Sequence, residues 1–258
     1  MNHNICRRYL TRSVLVLAFA ALVAPAEAQQ SSAAVNPAAM KALNDMASYL
    51  RSLKAFQVES ATTTDEVQDD GQLIQYTAKI NFVVQTPNKL LATSSSDRNE
   101  RTFIYDGKTF TMFAQRAGYY ATVPAPPTLR ELDDALSEKY DIELPLADLF
   151  RFGSPDWKGA DIKAATDIGP SEVGGITCEH YAFRQDDVDW QVWIQKGEYP
   201  LPRKLVITTT TEPGRPQHSA TYTWNLAPSF NEASFTFVPP AGARKIVLAA
   251  VGEPQGGK

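Results

Sequence analysis

The sequence has 258 residues, a formal net charge of −4 and 21% charged residues. An acidic chain without a basic cluster argues against nucleic acid and against anionic membrane surfaces as partners. Two cysteines, Cys6 and Cys178, are too few for a disulfide-stabilised scaffold, so stability has to come from an ordinary hydrophobic core.

Residues 1–28 have the pattern of a secretory signal peptide. Three arginines precede an apolar run of about 11 residues, and Ala26-Glu27-Ala28 follows as a cleavage site. The run is well short of the roughly 20 residues that a spanning helix needs. We expect cleavage after Ala28, which removes three arginines and one glutamate and lowers the net charge by two; a retained anchor is the alternative. Because Cys6 precedes the apolar run, we expect a periplasmic protein without a lipid anchor or stable membrane insertion.

The mature chain begins with a predicted helix and then changes to the period of strands. Asn36-Pro37 is typical of a helix start, and apolar residues recur at helical spacing from Met40 to Leu50. From Ile74 to Val84 apolar and polar residues alternate, which predicts a long half-buried strand paired with Phe56–Val67. Shorter strands are predicted at 88–95, 101–105, 108–113 and 118–123.

A helical segment, Ala125–Phe150, interrupts the strands. Thr128 and Glu131 have the spacing of a capping box at a helix start. One face of the predicted helix is apolar and consists of Leu129, Leu132, Leu136 and Tyr140. The pair Asp133-Asp134 is interpreted as solvent-facing, and a second short helical turn is predicted at 144–150. We expect the apolar face to pack onto a curved sheet.

The strand pattern resumes after this segment. Strands are predicted at 176–183, 188–195, 200–211 and 220–226, and a last short strand at Phe235 and Phe237. Residues 252–258 are expected to be a disordered tail. Ten or eleven strands in one domain, residues 36–248, predict a mainly β fold with helices, an α+β architecture built on one large antiparallel sheet.

Neither a catalytic nor a metal motif stands out. The mature histidines, His180 and His218, fall on separate predicted strands, and Cys178 is interpreted as a small buried residue. Calcium at Asp186–Asp189 is the weaker alternative to a solvated turn, because that segment lacks the further oxygen ligands of a loop site. We therefore predict a protein that is not an enzyme and that needs no cofactor.

Large apolar residues at alternate strand positions, opposite the apolar face of the predicted helix, give two interpretations. They form a filled core, or they line a groove for a hydrophobic ligand, since ligand sites are commonly apolar hollows. The predicted ligand-binding residues are Tyr76, Ile80, Phe82, Leu132, Leu136, Trp190, Val192 and Trp224.

Several segments in order resemble a bacterial family of predicted periplasmic proteins of unknown function, over nearly the whole mature chain. They are Tyr105–Phe110, Glu138–Tyr140, Leu144–Asp148, Cys178–Phe183, Val188–Ile194, Pro200–Leu205 and Phe235–Pro240 with Gly242-Ala243. That family is similar to the LolA/LolB and LppX group of envelope proteins. The resemblance implies a strongly curved sheet, an incomplete antiparallel barrel covered by helices from the middle of the chain, with a cavity used in some members for lipid or acyl chains.

The leading functional hypothesis is non-covalent binding of a lipid, a lipoprotein acyl chain or another hydrophobic ligand in the groove. A protein-interaction or sensor module of the envelope, which uses the same fold without bound lipid, is the alternative. The sequence specifies neither the ligand nor the oligomeric state.

Overall fold

The computed structural model describes residues 34–146, 149, 152 and 161–251. These residues form mainly strands, with two α-helices and one 3₁₀ helix, Glu232–Phe235. The α-helices are α1 (Pro37–Ser52) and α2 (Leu129–Tyr140). The strands are β1 (Ala55–Val67), β2 (Leu73–Gln85), β3 (Lys89–Ser96), β4 (Glu100–Tyr105), β5 (Thr109–Ala114), β6 (Tyr119–Pro124), β7 (Ala164–Val173), β8 (Ile176–Arg184), β9 (Val188–Gln195), β10 (Pro202–Thr209), β11 (Gln217–Asn225) and β12 (Arg244–Lys245). The predicted signal peptide and the predicted tail lie outside the described residues.

Twelve strands in the described part of the chain form one curved, open sheet, in the order β12-β6-β5-β4-β3-β2-β1-β11-β10-β9-β8-β7. Neighbouring strands in this order pair antiparallel, except that β12 pairs parallel with β6. The 13-residue strand β1 joins the two halves, because it pairs with β2 on one side and with β11 on the other. A sheet of twelve strands does not stay flat, because each strand is twisted relative to its neighbour. The prediction of a curved, mainly antiparallel sheet is confirmed.

Both α-helices lie against one face of the sheet, which we call the inner face. Phe82 of β2 lies beside Val58 of β1, and Val58 lies beside Trp224 of β11, so the register places these three side chains on the inner face. From α1, Leu43 and Met46 are fully buried in the same apolar core. Asn36 begins α1 as predicted, since its side-chain oxygen accepts hydrogen bonds from the next two free amides.

The C-terminal segment runs around the β6 edge of the sheet. The 3₁₀ helix packs on the outer face, where Phe235 is fully buried, and the chain then adds β12 beside β6. Farther on, the backbone N–H of Val251 donates to the carbonyl of Lys139 in α2, 2.8 Å away. One stretch of chain therefore contacts both faces of the sheet.

Three expectations need correction. The predicted strand at Phe235 and Phe237 is a 3₁₀ helix and an extended segment, because the preceding Asn231 caps a helical turn through Ser234. The strand β7 was not predicted, because its alternation is broken by Gly169 and Pro170. Asp133 does not face solvent: it is only 3% exposed, since positions 129, 133 and 136 share one face of a helix.

Candidate functional site

All six predicted ligand residues on strands share the inner face of the sheet. Through β10, the register joins Val192 of β9 to Leu205 and then to Ala220 of β11, on the same face as Trp224. Tyr76, Ile80 and Phe82 alternate along β2 on that face as well. The two remaining residues, Leu132 and Leu136, belong to the face of α2 that packs against the sheet.

The eight residues differ in burial. Six of them belong to the packed core, and Leu132 and Leu136 are each 1% exposed. Trp224 packs at the margin of the core, and its indole N–H donates to the carbonyl of Pro202 at 2.8 Å. Tyr76 is half-buried, and the guanidinium of Arg98 lies 4.2 Å from the centre of its ring. That these residues contact a ligand stays a prediction.

A cavity of about 550 Å³ opens between the inner face and the C-terminal end of α2. Its lining comes from β4 and β5, from the residues after α2, and from the C-terminal segment. The lining residues are Arg101, Phe103, Met112, Asp141, Ile142, Glu143 and Leu248. The volume lies within the range of about 300–1,000 Å³ that is typical of ligand pockets.

The floor of this cavity continues a row of side chains that crosses the sheet. Met112 pairs with Phe103, Phe103 pairs with Ala92, and Ala92 pairs with Phe82. Phe82 in turn belongs to the row that reaches Trp224 through β1. The cavity therefore adjoins the predicted residues along the same apolar row, although none of the eight contributes to its lining.

Two features position the walls. Asp141 ends α2 in the left-handed conformation, with φ 53°, and the backbone N–H of Ile142 donates to the carbonyl of Leu136 at 3.1 Å. This reversal brings Ile142 over the sheet. Leu248 reaches the cavity because the C-terminal segment has passed the β6 edge, and its neighbour Val247 is 91% exposed.

The opposite end of α2 is held by a buried tyrosine. Tyr105 is fully buried, and its hydroxyl donates to the carbonyl of Pro126 in the segment between β6 and α2. Burial, with smaller contributions from the negative charges of Glu131 and Asp106, raises the pKa of Tyr105 to about 12. The phenol is therefore a hydrogen-bond donor at every physiological pH. Thr128 caps α2, since its hydroxyl accepts from the backbone N–H of Glu131, and its own O–H donates to the carboxylate of that residue.

A smaller cavity of about 210 Å³ lies on the outer face, beneath the C-terminal segment. Among its lining residues are Ile104, Thr111 and Phe235. Asp106 also lines it; burial alone would raise the pKa of Asp106, but hydrogen bonds from the N–H groups of Thr109 and Lys108 lower it. The carboxylate of Asp106 thus already accepts hydrogen bonds from the turn that follows it.

The candidate catalytic residues do not come together. His180 lies on the outer face, stacked on Trp193 with a centroid distance of 3.9 Å, whereas His218 lies on the inner face beside Thr64. Cys178 is fully buried as predicted, and burial raises the pKa of its thiol. Within the residues that the structure describes, no group of three or more histidine, cysteine or acidic side chains is placed to hold a metal ion.

The cavity residues were not singled out by sequence reasoning. Phe103 and Met112 sit at alternating positions in strands that were predicted, so their shared face could have been inferred from the period. Ile142 and Leu248 lie 106 positions apart by their residue numbers, and no local pattern joins them.

Several solved structures are similar to this chain, among them the following three. Lipoprotein LppX of Mycobacterium tuberculosis is 11% identical, with a TM-score of 0.47 over 76% of this chain and 100% of LppX. A LolA superfamily protein from Nitrosomonas europaea is 10% identical, with a TM-score of 0.37 over 77% of this chain and 97% of the other. A putative outer membrane lipoprotein-sorting protein domain from Vibrio parahaemolyticus is 8% identical, with a TM-score of 0.34 over 76% and 97%.

The sequence comparison supports the resemblance noted above. No curated protein matches this sequence. Neither α-helix of the described residues has the length and apolar character that a membrane crossing requires. The model of one family, described as "Predicted periplasmic protein (DUF2092)", matches residues 39–249, and this chain therefore belongs to that family of predicted periplasmic proteins.

Proposed function

We propose that this protein is a non-enzymatic periplasmic protein that binds a lipid, a lipoprotein acyl chain or another hydrophobic ligand between the curved sheet and α2. The observation that carries the proposal is the open cavity of about 550 Å³ at the end of α2. Its floor and walls are apolar at Phe103, Met112, Ile142 and Leu248.

Burial of apolar surface supplies the binding energy. Each methylene that leaves water contributes about 0.8 kcal/mol, so an acyl chain can be held without a polar motif. A chain longer than the cavity would continue beneath α2, along the row from Phe103 to Phe82. There it would meet Leu132 and Leu136, which are buried in the same apolar core as Phe82 and Phe103.

The non-enzymatic part of the proposal rests on the described histidines and the cysteine, which are not grouped for acid–base or nucleophilic catalysis. General acid–base or nucleophilic catalysis requires the participating groups within hydrogen-bond reach of one another. The two described histidines lie on opposite faces of the sheet, and the thiol of Cys178 is buried with a raised pKa.

The test is native mass spectrometry of the purified protein, combined with extraction of any lipid it carries. Leu248→Asp places a charge in the cavity wall, and Val247→Asp places the same charge on the adjacent, exposed position. We expect the unmodified protein and Val247→Asp to carry or take up a long-chain lipid, and Leu248→Asp to lose it.

Two results would refute the proposal. One is the consistent absence of lipid, both as purified and after incubation with a long-chain fatty acid. The other is equal lipid binding in both aspartate variants. A stoichiometric protein partner, identified by crosslinking in cells and bound without lipid, would support the alternative of an envelope interaction or sensor module.

A further inference from the structure

Three charged side chains stand at the cavity, among walls that are otherwise apolar. Arg101 belongs to the inner face of β4, where it pairs with Ser94 of β3 and Ala114 of β5. Asp141 and Glu143 belong to the segment that follows α2. All three residues are largely exposed, so each keeps its ordinary contact with water.

These charges are not used by the fold. Many other exposed charges of the protein form ion pairs, such as Arg184 and Arg215 with Asp189 or Lys196 with Glu179. Among the residues that the structure describes, the side chains of Arg101, Asp141 and Glu143 form neither an ion pair nor a hydrogen bond. The cavity therefore presents one cation and two anions with free hydrogen-bonding capacity beside an apolar floor.

We propose that this cavity selects amphiphiles whose headgroup carries both an anionic and a cationic group, as phosphatidylethanolamine does. The inference rests on the proposed function, because the acyl chain supplies the affinity and the charges supply the choice of headgroup. A guanidinium binds a phosphate through paired N–H donors, and an ammonium group is a strong donor to carboxylates. Arg101 is assigned to the phosphate, and Asp141 with Glu143 to the ammonium group.

The two signs of charge disfavour headgroups that carry only one sign. An amphiphile with a purely anionic head would gain Arg101 but place its charge near two carboxylates, and one with a purely cationic head would gain the carboxylates but place its charge near Arg101. A headgroup with both charges satisfies all three side chains at once. Because these groups are exposed, each contact has the strength of a surface ion pair, which corresponds to an effect of roughly two- to fivefold on the dissociation constant.

The experiment measures the dissociation constants of short-chain phosphatidylethanolamine and of phosphatidylglycerol with identical acyl chains, by titration calorimetry on the full-length mature protein. We expect the unmodified protein to prefer phosphatidylethanolamine. Arg101→Gln should weaken the binding of both lipids by roughly two- to fivefold. The double variant Asp141→Asn, Glu143→Gln should abolish the preference, by weakening phosphatidylethanolamine and strengthening phosphatidylglycerol; asparagine tolerates the left-handed conformation at position 141.

Glu172→Gln removes one carboxylate on the exposed part of β7 and serves as the control, with both dissociation constants unchanged. Equal affinity of the unmodified protein for both lipids would overturn the headgroup inference and leave the proposed function standing. The same holds for a preference that survives in the double variant. If neither lipid binds, the headgroup inference fails, and the lipid-extraction test above decides the proposed function.

Discussion

The hydrogen bond from Tyr105 to Pro126 makes the stability of the protein depend on pH in the alkaline range. The pKa of Tyr105 is raised from 10.0 to about 12 in the folded protein. Because the folded pKa exceeds the unfolded pKa, the contribution of this phenol is complete below about pH 10 and is lost as the pH rises toward 12. The full shift corresponds to about 3 kcal/mol, of which about 1.4 kcal/mol is lost by pH 11.

The substitution that tests this linkage is Tyr105→Phe. It removes the hydroxyl that donates to Pro126, so at pH 8 it should lower the free energy of unfolding by about 1 kcal/mol. The phenylalanine cannot ionise, so the difference between the two proteins should shrink as the pH rises and vanish near pH 11. Above that pH the variant should be the more stable of the two.

The assay is urea unfolding followed by tryptophan fluorescence, at closely spaced pH values from 8 to 12. Tyr199→Phe, which alters an exposed tyrosine, controls for the loss of a phenol as such. A difference between wild type and Tyr105→Phe that stays constant from pH 8 to pH 12 would contradict the argument, because the hydroxyl would then not be buried as a donor in the folded state.

Further predictions concern the core, the cysteine and the helix cap. Leu136→Ala should lower the free energy of unfolding by about 2–5 kcal/mol in chemical denaturation, whereas Leu73→Ala, at a residue that is 40% exposed, should change it far less; similar losses would contradict the packing of α2. In a Cys6→Ser background, Cys178 should react with a thiol reagent only when the protein unfolds, because its side chain is fully buried and the pKa of its thiol is raised. Rapid labelling of the native protein would refute this prediction. Thr128→Ala should destabilise the protein by about 1 kcal/mol through loss of the cap, measured in the same unfolding assay, and no change would exclude a capping role.

Much of the sheet could be read from the sequence because the local and the tertiary signals agree. The alternation from Ile74 to Val84 places one set of side chains inward, and the observed pairing of β1 with β2 has that register over 13 positions. Thr128 and Glu131 marked the start of α2 by their spacing, and both side chains are joined at that helix end.

The sequence failed where a residue's partners are remote. Asp133 is polar and was assigned to solvent, yet its helical position places it beside Leu129 and Leu136 on the buried face. Phe235 was assigned to a strand because aromatic residues at alternate positions favour one; its burial comes from the outer face of a different part of the sheet. The apolar character of a side chain such as Phe235 predicts that it will be buried. It does not predict which surface of the protein will bury it.

The same limit applies to the cavity. The sequence predicts that Phe103 and Met112 share a face, but whether the space above them is filled depends on where α2 ends and where the C-terminal segment runs. A cavity forms between several segments that are far apart in the sequence, so no local sequence pattern predicts it. The eight predicted ligand residues are therefore the apolar positions that a period can identify, and the cavity lies beside them.

Among the described residues, the two ends of α2 differ in their contacts with the rest of the protein, and under the proposed function this difference favours entry of a ligand at the C-terminal end. At the N-terminal end, Leu129 donates to the carbonyl of Pro87 at 2.9 Å, Ala125 donates to that of Lys108 at 2.8 Å, and Tyr105 holds Pro126. Beyond the C-terminal end, Leu144 is buried in the core, whereas the contact from Val251 to Lys139 comes from an exposed, irregular segment. Contacts of that kind open at lower free energy than a packed core. Under the proposed function, a ligand would therefore enter beside the C-terminal segment, near Leu248, while Tyr105 keeps the helix start in place. A chain that lengthens inside the cavity would next separate Leu136 from the sheet before Leu132.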